Sequence, residues 1–151
     1  MTPAELAARE AIRDLVARYN ALGDAGRLGA LCELFADDAV LELDGRRCAG
    51  RGSIRALFES AAEEARSGDG VRLLRHFTAT HVIDLADAGR ASGRLYYQVL
   101  TERGLDHWGR YLDEYRVDAG RWRFAHRRAT VDGLVPGGWA ERTRRKVGAG
   151  P

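Results

Sequence analysis

The chain has 151 residues, 45% of them hydrophobic and 30% charged, and a formal net charge of +2. This length favours one domain around one core, and the composition is that of an ordinary soluble protein. No apolar stretch approaches the roughly 20 residues that span a bilayer. The charged N-terminus, MTPAELAAREAIRD, lacks the apolar centre of a signal peptide. We therefore expect a cytoplasmic protein with no membrane partner.

The first part of the chain is predicted to be mainly helical. Thr2 and Glu5 form a capping box that begins a first helix, whose apolar residues recur at helical spacing until Gly23. Asp24 follows as a plausible N-cap of a short second helix. The stretch AVLEL (39–43) alternates like a strand, and the DG after it is typical of a hairpin. A third helix then begins at Ser53 and fades in the polar stretch 63–70.

From residue 71 onward the pattern indicates strands. Four strands are predicted, at 72–85, 90–102, 107–118 and 121–132. Long consecutive strands after several helices predict an α+β fold with an antiparallel sheet. The last stretch is interpreted as irregular, which divides the chain into a domain at 1–132 and an irregular basic C-terminal segment at 133–151. Such a tail is more typical of a solvated terminus than of a nucleic-acid site, and we expect no nucleic-acid partner.

Strand alternation separates the two histidines of the first of these four strands. Strict alternation puts His76 on one face of the sheet, and Phe77, His81 and Ile83 on the other. Because ligands on opposite faces cannot converge on one ion, we predict no metal site. An exposed outer face that carries Phe77, His81 and Ile83 predicts a homodimer through that face.

Four stretches, taken in order, are similar to those of a known family: IRDLVARYNALGDAGRLGALCELFADDAVLEL, GRGSIRALF, RHFTATHVIDL and GRYLDEYRVDAGRWRFAHRR. They lie within residues 10–132 and resemble the SnoaL-like branch of the nuclear-transport-factor-2-like superfamily. The resemblance implies a cystatin-like α+β barrel, in which a strongly curved antiparallel sheet forms a cone around a deep pocket and the N-terminal helices close it. Members include dehydratases, isomerases, polyketide cyclases, dehydrochlorinases and non-catalytic binding modules, so the fold alone does not set the reaction.

Three candidate catalytic residues follow from the resemblance. The scytalone dehydratase and hexachlorocyclohexane dehydrochlorinase types use an aspartate after the first helix and a histidine in the RH-type strand, and Asp24 and His76 occupy those positions. The dehydrochlorinase type also has a pocket arginine five residues after the tryptophan of the last strand. Here that tryptophan is Trp122, and the arginine is Arg127.

The chain also departs from both patterns. Tyr19 replaces the dehydrochlorinase-type lysine, and Gly23 replaces the dehydratase-type tyrosine before the aspartate. The second pocket histidine of the dehydratase falls near Thr101, and its pocket asparagine falls near Tyr111. The resemblance therefore implies neither the scytalone dehydratase activity nor the dehydrochlorinase activity for this chain.

The candidate residues suit proton-transfer chemistry. His76 has the side chain that exchanges protons near neutral pH, and Asp24 would fix its tautomer and stabilise the imidazolium. Arg127 would stabilise a developing anion. Six further residues are predicted to bind substrate: Tyr19, Phe58, Tyr97, Val99, Thr101 and Tyr111.

Each role has a structural alternative. Asp24 could be only an N-cap, and His76 only a satisfied histidine of the pocket wall. Arg127 could be a buried partner of Asp113 that stiffens the sheet. Trp139 could cap the pocket mouth, or it could pack on the surface or on a partner subunit.

We expect a cofactor-independent acid/base enzyme, a dehydratase, isomerase or cyclase, acting on a small hydrophobic oxygenated molecule such as a polyketide or aromatic natural product. No dinucleotide fingerprint, P-loop or nucleophile elbow is present in the sequence, which favours the absence of a cofactor. The alternatives are a non-catalytic binding or assembly domain and, third, a hydrolase such as an epoxide hydrolase.

Overall fold

The computed structural model describes residues 1–43, 45–67 and 71–148, and within these ranges the chain forms four helices and six strands. The helices are α1 (Pro3–Asp24), α2 (Leu28–Cys32), α3 (Arg51–Arg66) and α4 (Trp139–Gly148). The strands are β1 (Phe35–Leu43), β2 (Arg46–Ala49), β3 (Arg75–Leu85), β4 (Arg90–Thr101), β5 (Gly104–Asp118) and β6 (Arg121–Leu134). The predicted α+β class is confirmed. None of the described helices combines the length and the apolar character needed to cross a membrane.

The six strands form one sheet in the order β2-β1-β6-β5-β4-β3. Neighbouring strands are antiparallel except β1 and β6, which run parallel. The prediction of a purely antiparallel sheet is therefore wrong. Sequence alternation could not show this, because β1 reaches β6 only after a hairpin, a helix and three more strands. The described edge strands β2 and β3 do not pair with each other, so this sheet is not a closed barrel. The cone shape stays a prediction.

Helix α1 begins as predicted and places one face against the sheet. Thr2 and Glu5 cap each other: the Glu5 N–H donates to Thr2 Oγ1 at 3.2 Å, and the Thr2 N–H donates to Glu5 Oε2 at 2.7 Å. The apolar stripe of α1 (Ile12, Leu15 and Val16) is buried in the core with residues of β1, β3, β4, β5 and β6. Since the helix reaches Asp24 without a break, its last turn is held at a defined place beside β3.

A β-bulge in β3 reverses the predicted faces of its second half. Thr80 has a positive φ of 55°, and the pairing with β4 skips between Ala79 and Val82. One extra residue shifts the alternation, so His81 turns inward and its Nε2 lies 3.2 Å from the Tyr115 hydroxyl. Gly93 of β4 makes room for this contact, because a Cβ there would lie 2.7 Å from the Tyr115 ring.

The bulge corrects two expectations. His76 and His81 do not point to opposite sides of the sheet. Of the three residues assigned to the outer face, only Phe77 is exposed (52%), whereas Ile83 is buried in the core at 3% exposure. The homodimer remains a prediction, and it now depends on a face that carries Phe77, Tyr96 and Trp108.

The C-terminal segment is not irregular where the structure describes it. Strand β6 continues to Leu134, and α4 follows. The carboxylate of Asp106, 3% exposed, accepts the N–H groups of Trp139 (2.5 Å) and Ala140 (3.1 Å) and so caps α4. The prediction of an irregular segment is wrong for this helix because the residue that caps it lies 33 positions earlier in the chain. The domain boundary at residue 132 stays a prediction.

A fully buried ion pair lies between β5 and β6. Arg127 Nε and Nη2 donate to Asp113 Oδ1 and Oδ2 at 2.8 and 2.7 Å, and both side chains have 0% exposure. The guanidinium carbon lies 4.1–4.2 Å from the ring centroids of Tyr19, Tyr111 and Phe124. Burial opposes the charge of Arg127, but the Asp113 carboxylate outweighs it and raises the pKa of the guanidinium. Arg127 therefore stays charged inside the core.

Replacing Arg127 by Met should destabilise the protein by about 3–5 kcal/mol, because it leaves Asp113 buried without its cation, with only the hydrogen bond from the Tyr115 hydroxyl. The matched control is Arg110→Met, which removes an exposed ion pair with Asp132 (3.1 Å) and should cost less than about 1 kcal/mol. Urea denaturation measures both changes. Equal losses for the two variants would contradict the structural role of Arg127.

His81 should make stability fall in mild acid. Its burial lowers the pKa of the imidazole, an effect that Arg127 and Arg13 assist and Asp113 opposes. Below about pH 6.5 the unfolded chain therefore binds a proton that the folded chain resists, so folding weakens as pH falls. The variant His81→Gln lacks this group.

Melting temperatures from pH 7.5 down to pH 5 test this difference. The variant should lose less stability than the wild type, and the comparison between them cancels the carboxylates that titrate in both. Identical pH dependences would show that protonation of His81 is not coupled to folding.

Candidate active site

A cavity of about 260 Å³ lies between the helices and the inner face of the sheet. Its wall is mostly apolar and includes residues of all four helices. The polar side chains of the wall include His76, His107, Asn20, Thr143 and Arg144. A small apolar cavity with a few polar groups is typical of a site for a small organic ligand.

The structure brings Asp24 and His76 into contact. Asp24 Oδ1 lies 2.6 Å from His76 Nδ1, and Asp24 Oδ2 accepts the backbone N–H of His76 at 3.0 Å. The side chains are 11% and 27% exposed, respectively. Because both oxygens are engaged, the carboxylate is fixed and holds a proton on Nδ1, which makes Nε2 the ring nitrogen able to accept one. Within the described part of the chain, no hydrogen bond to Nε2 is formed.

Asp24 does not cap the following helix. The N-cap position of α2 is Arg27, and no side chain caps it. Asp24 is the last residue of α1, and its carboxylate turns to β3 instead. The interpretation of Asp24 as only an N-cap is therefore wrong.

Four of the six predicted substrate-binding residues line the cavity: Tyr19, Phe58, Tyr97 and Tyr111. Tyr97 and Tyr111 stack with ring centroids 4.5 Å apart, and Tyr19 meets Tyr111 edge-on at 6.1 Å. Burial raises the pKa of the Tyr19 and Tyr111 phenols, which therefore stay neutral. This part of the wall therefore combines closely packed aromatic rings with neutral hydroxyls.

The remaining two, Val99 and Thr101, do not belong to the cavity wall. Val99 is 0% exposed in the core. The Thr101 hydroxyl accepts the N–H of Arg103 at 3.1 Å within the turn between β4 and β5. Both lie on the inner row of β4 with Tyr97, but their short side chains are enclosed by neighbouring residues. Sharing a face with a cavity residue was not sufficient to place them in it.

Arg127 lies behind the wall, not on it. It is fully buried against Asp113, and its guanidinium is stacked by the rings of Tyr19 and Tyr111, which do reach the cavity. Its expected role as an anion stabiliser is corrected to the structural alternative, a buried pair within the sheet. The sequence spacing located the right residue on β6 but could not show that Asp113 accepts hydrogen bonds from its Nε and Nη2.

A second histidine–aspartate pair was missed by the sequence analysis. His107 Nδ1 lies 2.8 Å from Asp106 Oδ2, and the His107 ring lies 6.2 Å from that of Trp139 and 5.9 Å from that of Tyr97. Adjacent strand residues normally point to opposite faces. Here the pairing with β4 skips Asp106, since Val99 pairs with His107 and Leu100 with Leu105. The sequence signal for this pair is the dipeptide Asp106-His107, which lies where the strand predicted at 107–118 begins.

Helix α4 supplies one side of the cavity. Trp139, Ala140, Thr143 and Arg144 line it. The hypothesis that Trp139 contributes to the pocket therefore agrees with its position. Among the described residues, no three histidine, cysteine, aspartate or glutamate side chains are grouped to hold a metal ion.

Solved structures share this architecture. A candidate scytalone dehydratase from Novosphingobium aromaticivorans DSM 12444 has a TM-score of 0.78 at 20% identity, covering 89% of this chain and 91% of that one. The hexachlorocyclohexane dehydrochlorinase LinA-type3 from Novosphingobium barchaimii LL02 has a TM-score of 0.75 at 20% identity, covering 87% and 91%. An NTF2-like protein with a cystatin-like fold from N. aromaticivorans has a TM-score of 0.70 at 28% identity, covering 91% and 88%.

Sequence comparison leads to the same group of proteins. No curated protein sequence matches the chain significantly. The SnoaL-like domain family matches residues 4–128, which is most of the chain. The resemblance inferred from the sequence is confirmed, and the protein belongs to the SnoaL-like domain family.

Proposed function

We propose that the protein is a cofactor-independent acid/base enzyme, a dehydratase, isomerase or cyclase, for a small hydrophobic oxygenated molecule. The observation that carries this proposal is the His76–Asp24 pair in the wall of an apolar, aromatic cavity. A polyketide or other aromatic natural product fits an apolar cavity that has aromatic rings in its wall. The similarity to a candidate scytalone dehydratase and to a dehydrochlorinase supports the reaction class.

The proposed reaction begins with proton removal by His76. Nδ1 keeps its proton through Asp24, and Nε2 takes a proton from a carbon next to a carbonyl or a leaving group. The Asp24 carboxylate then stabilises the imidazolium. Return of the proton to a departing hydroxyl gives dehydration, and return to a different carbon gives isomerisation. The apolar wall excludes water and strengthens each charge interaction in the site.

His107 is proposed as the second proton-transfer group of the cavity. Asp106 contacts its Nδ1 as Asp24 contacts Nδ1 of His76. With two histidines in the wall, His76 can remove the proton while His107 protonates the departing or receiving atom. The neutral phenols of Tyr19 and Tyr111 would orient the substrate oxygens.

Replacing His76 by Gln should lower turnover at least about 100-fold, because the base is lost while the cavity shape is kept. A panel of small aromatic ketones and hydroxyketones, incubated in D₂O and analysed by mass spectrometry, reveals both loss of water and deuterium incorporation. Asp24→Asn should also lower the rate, since the amide does not stabilise the imidazolium.

The matched control is His126→Gln, since His126 pairs with Glu42 at 3.0 Å and does not line the cavity. It should keep the wild-type rate. If His76→Gln retained full turnover, the proposed mechanism would be excluded. If wild-type protein bound members of the panel without reaction or exchange, a binding domain would replace the enzyme.

Replacing Asp106 by Ala should loosen α4 and disturb His107 together. The loss of an N-cap typically costs about 1 kcal/mol, so amide hydrogen exchange across α4 should accelerate, and turnover should fall. His107→Gln keeps the cap, and we expect it to lower turnover without faster exchange. Unchanged exchange in Asp106→Ala would show that the carboxylate does not hold the helix.

A further inference from the structure

Two side-chain contacts join α1 to β3 at successive positions along the helix and the strand. Asp24 contacts His76, and four residues earlier the Asn20 Nδ2 donates to the Thr78 hydroxyl at 3.4 Å. A spacing of four residues advances about 6 Å along a helix, and two residues advance about 6.6 Å along a strand. Because these two distances are similar, the Asp24–His76 and Asn20–Thr78 contacts can form at the same time. Asn20 is therefore held beside the His76–Asp24 pair, about one helical turn away.

Asn20 presents an unpartnered acceptor at this position. The residue is 6% exposed and lies in the cavity wall. Its Nδ2 is committed to Thr78, whereas Oδ1 is buried and has no hydrogen-bond donor within the described part of the chain. A buried amide oxygen is normally hydrogen-bonded, since leaving it unpaired costs stability. The unpaired Oδ1 of Asn20, next to the proposed base His76, is therefore suited to accept a hydrogen bond from a hydroxyl of a bound ligand.

We propose that Asn20 is a specificity-determining residue whose Oδ1 accepts a hydrogen bond from a hydroxyl of the substrate. This inference rests on the proposed function, because it places the hydroxyl in the cavity that His76 serves. The substrate class is then narrowed to a ring compound that carries a free hydroxyl close to the reacting carbon. An ether, a halide or hydrogen at that position leaves Oδ1 unpaired and binds more weakly.

The expected discrimination follows from the cost of an unpaired buried group. A site that hydrogen-bonds a hydroxyl rejects the analogue without it, because its own polar atom is then buried without a partner. For one neutral hydrogen bond the preference is about tenfold. Removing the acceptor should remove the preference and leave the affinity for the apolar analogue unchanged or improved.

Binding of 4-propylphenol and 1-fluoro-4-propylbenzene tests the proposal without any turnover. Fluorine replaces the hydroxyl at similar size but has no proton to donate. NMR titrations give both dissociation constants for wild type and for Asn20→Leu, an apolar residue of similar volume. The preference for the phenol should fall about tenfold in the variant. An unchanged preference in a folded Asn20→Leu protein overturns the proposal.

A second measurement uses only wild-type protein, in case Asn20→Leu does not fold. The side-chain amide signal of Asn20 should shift with 4-propylphenol and stay in place with the fluorinated analogue. Equal shifts with both ligands overturn the proposal.

The His76→Gln variant separates this inference from the proposed function. It should keep the phenol preference while losing turnover. Turnover that survives in His76→Gln contradicts only the acid/base mechanism, and a preference that survives in Asn20→Leu contradicts only the role of Asn20.

Discussion

The buried Arg127–Asp113 pair is the interaction on which the arrangement of the site depends. It joins β5 to β6 at a register position where the two residues face each other. Its cation is stacked by Tyr19 of α1, so the helix is positioned against a charge as well as against apolar side chains. The next residue, Asn20, and the last residue of α1, Asp24, then reach β3. The location of His76 in the cavity thus follows from an ion pair that does not touch the cavity.

The position of the Arg127 guanidinium behind the wall also determines which groups border the cavity. Tyr19 and Tyr111 stand between the guanidinium and the cavity, with their phenols kept neutral by burial. His76 and His107 therefore border a largely apolar space, and each contacts its own carboxylate.

Sequence reasoning predicted the class of fold, the capping box of α1, the position of Asp24 and His76, and four aromatic residues of the cavity. These depend on local periodicity or on motifs that match position by position. For Arg127 it left two roles open, and the structure shows the buried pair with Asp113. It failed where a distant residue decides, since Asp106 caps α4 and β1 pairs with β6. It also failed at two bulges, since one extra residue near Thr80 or at Asp106 reverses an alternation that the sequence pattern assumes to be regular.

The three hydrogen bonds that the Asp106 carboxylate makes with described residues have an evolutionary consequence. One carboxylate orients His107 and fixes the start of the helix that encloses the cavity. A substitution at this position changes the orientation of His107 and the enclosure of the cavity in a single mutational step. Lineages that retain Asp106 can diversify Trp139, Thr143 and Arg144 to accept new ligands while the histidine keeps its orientation. The C-terminal helix is then a part of the cavity wall whose side chains can change without moving the His107–Asp106 pair.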